Sequence, residues 1–220
     1  MAEDARNKEW EATKASAKGF VICLTVLCLV GAAAWFALTT GLERLPSKVC
    51  DGAVERDLVI RTLPRTRTAE EGASRRHEGK DLEFSCHIYT SADPILSGVA
   101  EVQDASVDSW FNHYGGMAER DSVRISADGI EALARIDRDS GNSYVYIPCV
   151  PHGVRASDAS ESYAILAEAS VIGEGRISGA ALRQAVTDFA YQLAEHTYEL
   201  AQCQGSTRDL PADLPRYEDE

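Results

Sequence analysis

This chain of 220 residues lacks the common signatures of catalytic and cofactor chemistry. It has no G-x-S-x-G elbow, no glycine-rich phosphate loop and no dinucleotide fingerprint. No CxxC pair occurs, which argues against a zinc ribbon or a dithiol redox site. The five histidines (His77, His87, His113, His152 and His196) show neither HxH nor HxxxH spacing, so none marks a metal site. Positive charge is also short: 22 bases stand against 35 acids, a net charge of −13. Such a surface repels phosphate backbones and argues against nucleic acid as a partner. No catalytic, cofactor-binding or metal-ligating residue is therefore assigned, and no cofactor is expected.

What the chain does have is one long apolar run. Residues 20–38, FVICLTVLCLVGAAAWFAL, contain no charge and a single threonine, Thr25. A helix of that length covers roughly 30 Å, the thickness of a bilayer's hydrocarbon core. The expected organisation is a cytoplasmic tail at 1–18, a transmembrane helix at 19–42 and an extracytoplasmic domain at 43–203, with membrane lipid as the span's partner. A cleaved signal peptide is the rival reading, with Ala32-Ala33-Ala34 as its processing site. Against it, the preceding segment is long and mixes four bases (Arg6, Lys8, Lys14, Lys18) with four acids. The run also exceeds the usual signal core of about 7–15 residues. We read it as an uncleaved signal-anchor. Trp10 and Trp35 suit its two interfaces. The small residues Gly31, Ala32, Ala33 and Ala34 form no GxxxG, so nothing marks the span itself as an assembly face.

Basic residues flank the run on both sides (Lys14 and Lys18 before it; Arg44, Lys48 and Arg56 after), so charge barely orients it. Cysteines orient it better. Cys23 and Cys28 lie within the run and read as small packing residues. The remaining four, Cys50, Cys86, Cys149 and Cys203, are widely spaced, as in a disulfide framework formed outside the reducing cytoplasm. This places the N-terminus inside and the C-terminal domain outside the cell membrane.

Period-two alternation predicts strands over 81–90, 96–102, 130–136, 143–149 and 163–172. In the first, Leu82, Phe84, Cys86 and Ile88 share a face. In the fourth, Val145, Ile147 and Cys149 oppose Tyr144 and Tyr146. Short polar connections favour antiparallel pairing. Helical spacing appears at 106–115, where Val107, Trp110, Phe111 and Tyr114 align before Gly115-Gly116. It appears again from Ser178 to about Cys203, where Leu182, Val186, Phe189, Leu193, His196, Leu200 and Cys203 form a stripe. A shorter helix follows Cys50, carrying Val54 and Leu58. The fold class is α+β: an antiparallel sheet with a long C-terminal helix packed on it, preceded by one transmembrane helix. Cys86 and Cys149 sit on apolar strand faces, whereas Cys50 opens one helix and Cys203 ends another. The favoured pairs are Cys50–Cys86 and Cys149–Cys203, out of three connectivities that four cysteines allow.

Residues 61–80 hold six bases and three acids and read as a flexible basic loop. Residues 204–220 read as a disordered acidic tail. Residues 101–220 carry 9 bases and 21 acids, which read as solvated faces. Asp137, Asp139, Gly141 and Asn142 resemble a piece of a calcium loop, but Pro148 stands where the closing acid belongs, so a hairpin turn is expected. His196, on the buried stripe, is expected to be satisfied by a backbone or tyrosine partner.

The cysteine-bearing segments (Cys50-Asp51-Gly52-Ala53, Phe84-Ser85-Cys86-His87-Ile88-Tyr89, Tyr146-Ile147-Pro148-Cys149 and the alanine-rich helix ending at Cys203) resemble small actinobacterial envelope proteins of unknown function, membrane- or lipid-anchored. The likeness covers about residues 49–203. It implies an envelope location and no catalytic residue. Seventeen Arg against five Lys, with abundant Ala, fits a GC-rich bacterial genome. The functional expectation is a membrane-anchored domain that binds an unknown envelope protein, wall component or ligand. The alternative is an envelope hydrolase with a dispersed His/Asp/Ser site.

Overall fold

The computed structural model describes the chain apart from residues 1, 117–121, 137–139, 205–209 and 218–220, and apart from the side chains of 2–19, 37, 116, 122, 136 and 140. It divides into two units, Met1–Thr40 and Gly41–Glu220.

The first unit is one helix, α1 (Ala2–Thr39). Its large apolar side chains point outward all round, from Phe20 at 69 % exposed to Phe36 at 69 %. The hydroxyl of Thr25 donates to the carbonyl of Val21 at 2.8 Å, so the one polar side chain of the run is satisfied by its own helix. Among the described residues no helix is long and apolar enough to cross a membrane. The helix stops at Thr39, so the expected span of 19–42 runs past its end, and Leu42 is buried in the core of the second unit.

The second unit is α+β. A small hairpin pairs β1 (Lys48–Val49) with β2 (Val54–Glu55), and α2 (Arg56–Thr62) follows directly. Val54 thus belongs to a strand rather than to the expected helix. Seven further strands build the main sheet: β3 (Ala69–Arg76), β4 (Glu83–Thr90), β5 (Ile95–Asp104), β6 (Ser122–Ala127), β7 (Ile130–Ile136), β8 (Ser140–Pro148) and β9 (Tyr163–Ile172). Their order is β3-β4-β5-β9-β8-β7-β6, antiparallel throughout. Between β5 and β6 lies α3 (Val107–Gly116), and the chain turns after β9 into α4 (Gly179–Ala201).

The helix α4 lies across one face of the sheet, over β4, β5, β7, β8 and β9. Its Leu182, Val186, Phe189 and Leu193 interleave with Phe84, Ile88, Leu96, Val145, Ile165 and Val171 in one buried core. The closest approach is at Gly98, where a Cβ would stand 2.6 Å from Leu193 Cδ1 and 2.8 Å from the Glu168 carbonyl oxygen. The opposite face is covered only in part. There α3 sets Trp110 over Leu133, Tyr146, Ala164 and Leu166. Leu133, Tyr144 and Tyr146 alternate outward from the main core because this second helix needs them. Ser106 opens α3 by accepting the N–H of Ser109 on its hydroxyl, while Glu161 accepts the N–H of Ser106 at 2.8 Å.

Two disulfides tie the layers together: Cys50–Cys86 and Cys149–Cys203, with Cα separations of 5.5 and 5.2 Å. The first joins the β1–β2 turn to the sheet, and the second joins the end of β8 to the chain just past α4. Cys50 and Asp51 both take the left-handed conformation, at φ 54° and 55°. Glu71 steadies that turn by accepting the Cys50 N–H at 2.8 Å.

Two segments differ from their compositional reading. Residues 61–80 contain the end of α2, all of β3 and the start of a short 3-10 turn at Gly79–Asp81. The strand was hidden because it is an edge strand, facing the core only with Ala69 and Ala73, and its charges guard the open edge. Residues 210–217 lie against α4, with Leu214 and Tyr217 buried. Tyr217 bonds Thr187 at 3.1 Å, and Thr187 bonds Ser143 of β8 at 2.7 Å, a chain of buried hydroxyls from the last segment to the sheet. The Asp137 and Asp139 side of the expected turn lies outside the described residues; Gly141 and Asn142 belong to β8, paired with Ile136 and Arg135 of β7.

Candidate ligand groove along the last helix

The polar side of α4 lines a concavity. Gln184, Asp188, Gln192 and Glu195 follow one another at helical spacing beside the apolar stripe. Around them stand α2, the β1–β2 hairpin, the loop after β9 and residues 210–217. Two adjoining cavities result, of about 260 and 400 Å³, and Arg61 and Asp188 line both.

The smaller cavity is the acidic end. It is lined by Glu55, Asp188, Glu195 and Asp213, with Lys48 and Arg61 as its cations and Tyr191 and Gln192 between them. Burial pushes the Glu195 carboxyl up to about 7; Glu199 adds to the rise and Lys48 opposes it. Asp188 is also raised, chiefly by burial, while its bond from Gln184 Nε2 at 2.7 Å, Arg61 and Arg216 pull the other way. Burial raises the Tyr191 phenol, whose hydroxyl donates to the carbonyl of Pro211. That bond, with Gln184 Oε1 accepting the Tyr217 N–H at 3.1 Å, fixes residues 210–217 as a wall of the groove.

The larger cavity is the basic end, where Arg61, Arg176 and Arg216 meet Asp188 and Gln184. Arg176 is placed by its own backbone N–H, bound to the Thr62 carbonyl at 2.9 Å, and by a guanidinium bond to the carbonyl of Ile60 at 3.4 Å.

The residues singled out from sequence lie elsewhere. The four cysteines are consumed in disulfides. The histidines are dispersed: His87 lies beside Tyr89, His113 beside Tyr114, and His196 packs its ring 4.7 Å from that of Phe84. His196 thus has an aromatic neighbour instead of the expected backbone or tyrosine hydrogen bond, and burial lowers its pKa. Among the described residues, no histidine side chain hydrogen-bonds a serine or aspartate, and no group of three His, Cys, Asp or Glu is placed to hold a metal ion. A third cavity of about 260 Å³ lies under α3, lined by Gln103, Ser109, Trp110, His113, Tyr114 and Leu166. Its rings pack on one another, Tyr114 stacking on Tyr144 at 4.4 Å, which makes it a satellite core more than an open platform.

Sequence reasoning missed the groove because its charges come from five separate segments. The legible signal was the second stripe of α4, polar at positions that an otherwise alanine-rich helix had no packing reason to change. Compared with known proteins, the chain matches no family model, no curated protein and no solved structure.

Proposed function

We propose that this is a single-pass membrane protein whose extracytoplasmic α+β domain binds a charged, polar ligand of the cell envelope in the groove along α4. The anchor is the part of α1 from residue 19 to Thr39, with the N-terminus cytoplasmic. Supporting it are the uncharged run of 20–38, the exposure of its side chains, and the return of the Thr25 hydroxyl to its own helix. The orientation is supported by the two disulfides, which persist in oxidising compartments.

The observation that carries the binding reading is the groove itself. Acids and bases from α2, α4, the loop after β9 and residues 210–217 line one concavity. Among the described residues, none of its lining charges is matched in an ion pair within 4.0 Å. Charges held close but unmatched are free to bond a ligand. A hydrolase finds less support, since among the described residues no histidine hydrogen-bonds Glu55, Asp188, Glu195 or Asp213.

The test is hydrogen exchange on the full-length protein in detergent, with and without the small-molecule fraction of envelope extract. Slowed exchange over 184–195 and 210–217 is the expected result. Slowing confined to the α3 region, or none at all, overturns the groove as the site. Thiol labelling of intact cells checks the anchor's direction: the four domain cysteines are expected to label only after reduction from outside.

A further inference from the structure

We infer that the basic end of the groove binds a phosphate group, carried by a small molecule or by a lipid headgroup; this rests on the groove being the binding site.

Three guanidinium groups line a single cavity of about 400 Å³: Arg61 from α2, Arg176 from the loop after β9, and Arg216 from the last segment. They come from three parts of the chain, so no local sequence run forces them together. Among the described residues, none has a carboxylate within 4.0 Å. Like charges gathered this way repel one another unless an anion lies between them. Asp188 is the one acid in the wall, and it already accepts a hydrogen bond from Gln184 at 2.7 Å. Three positive charges less one negative leave +2, which a phosphate dianion neutralises.

The donor set favours phosphate over a carboxylate. Each guanidinium presents a planar fork that matches two oxygens of an oxyanion. A carboxylate has two oxygens and one charge, too few for three forks. A phosphate monoester offers three oxygens and close to two charges at neutral pH. The cavity is larger than a phosphate alone, and it continues past Arg61 into the acidic end. The rest of the ligand therefore lies beside Asp188, Glu195 and Lys48, where polar groups and hydrogen-bond donors are matched.

The experiment is calorimetric titration of the full-length protein in neutral detergent with inorganic phosphate and with pyrophosphate. The comparison is the double variant Arg176→Gln, Arg216→Gln. Both side chains are exposed, so the variant is expected to keep the parent's melting temperature. Pyrophosphate is expected to bind more tightly than phosphate, and the double variant to lose at least tenfold in affinity for both. Arg216→Lys, which keeps the charge but not the fork, is expected to fall between. Equal binding by parent and double variant, or no binding by the parent, overturns the proposal. If extract still slows exchange in the groove while pyrophosphate gives no heat, the phosphate assignment fails and the groove stands; if neither occurs, both fail. Repeating the pyrophosphate titration in nanodiscs of phosphatidylcholine with and without phosphatidic acid, whose headgroup is a phosphate monoester, separates the two sources. Competition only in the anionic discs assigns a lipid headgroup, and equal binding in both assigns a soluble phosphate compound.

Discussion

Helices α1 and α4 are both rich in apolar residues, yet they use them in opposite ways. In α4 the apolar side chains keep to a stripe, and Phe189 and Leu193 are fully buried against the sheet. The remaining positions carry Gln184, Asp188, Gln192 and Glu195, and that polar side becomes the floor of the groove. In α1 the run from Phe20 has no polar side, and its large residues are exposed in every direction. A helix with one apolar face needs one protein partner, and a helix apolar all round needs an apolar surrounding. The comparison teaches that the arrangement of apolar residues, more than their number, separates a helix that packs one face on a sheet from one whose apolar side chains stay exposed on every side.

The sharpest break of this contrast is a matched pair of truncations. Phe189→Ala removes a ring with no exposed surface from the main core and is expected to cost the domain about 3–5 kcal/mol. Phe36→Ala removes a ring 69 % exposed and is expected to leave the domain's unfolding midpoint unchanged. Denaturant unfolding followed by near-ultraviolet circular dichroism measures both. An equal loss in the two variants would mean that α1 contributes to the domain's core after all.

Next in size is the fastening of α4. Cys149→Ser together with Cys203→Ser opens a bridge spanning 54 residues, and a loss of about 3–4 kcal/mol is expected from the added freedom of the unfolded chain. The same bridge holds the end of α4, whose final turn Gln202 closes in the left-handed conformation at φ 50°. Melting curves under non-reducing conditions give the difference. The corresponding change at Cys50 and Cys86, closing 36 residues, is expected to cost slightly less.

How much of this was legible depended on whether a residue's role was local. The strands β4, β5, β7, β8 and β9 and the helices α3 and α4 follow from alternation and helical spacing, since each needs only its own side chains to declare a face. The edge strand β3 was read as a flexible loop because Glu70, Glu71, Arg75 and Arg76 guard an edge and only two alanines face inward. Within the expected disordered tail of 204–220, residues 210–217 carry no legible pattern because Leu214 and Tyr217 are too few to form one. They are fixed by partners distant in sequence, Gln184, Thr187 and Tyr191. The groove was illegible for the same reason: Arg61, Arg176, Asp188 and Arg216 meet only after folding.

The smallest expected effect returns to the polar side of α4. Glu195 is held with its carboxyl raised to about 7, first by burial and then by Glu199. An unfolded glutamate titrates near 4.3. Between those two values the folded protein binds the proton that the unfolded chain has released, so this group's contribution to stability falls as pH rises through that window. Below it both states are protonated and the group is neutral to folding; above it the full penalty of the buried charge applies. Glu195→Gln removes that penalty while keeping the shape. The variant is expected to match the parent at pH 4 and to exceed it at pH 8 by about 1–3 kcal/mol. Urea unfolding at the two pH values measures the difference. A gain of the same size at both would assign the effect to packing, and no gain at pH 8 would mean that Lys48 or a bound cation already neutralises the carboxylate. A stabilised Glu195→Gln that binds groove ligands less well would show the charge is kept there for binding at the expense of stability, which separates the polar side of α4 from its packed one.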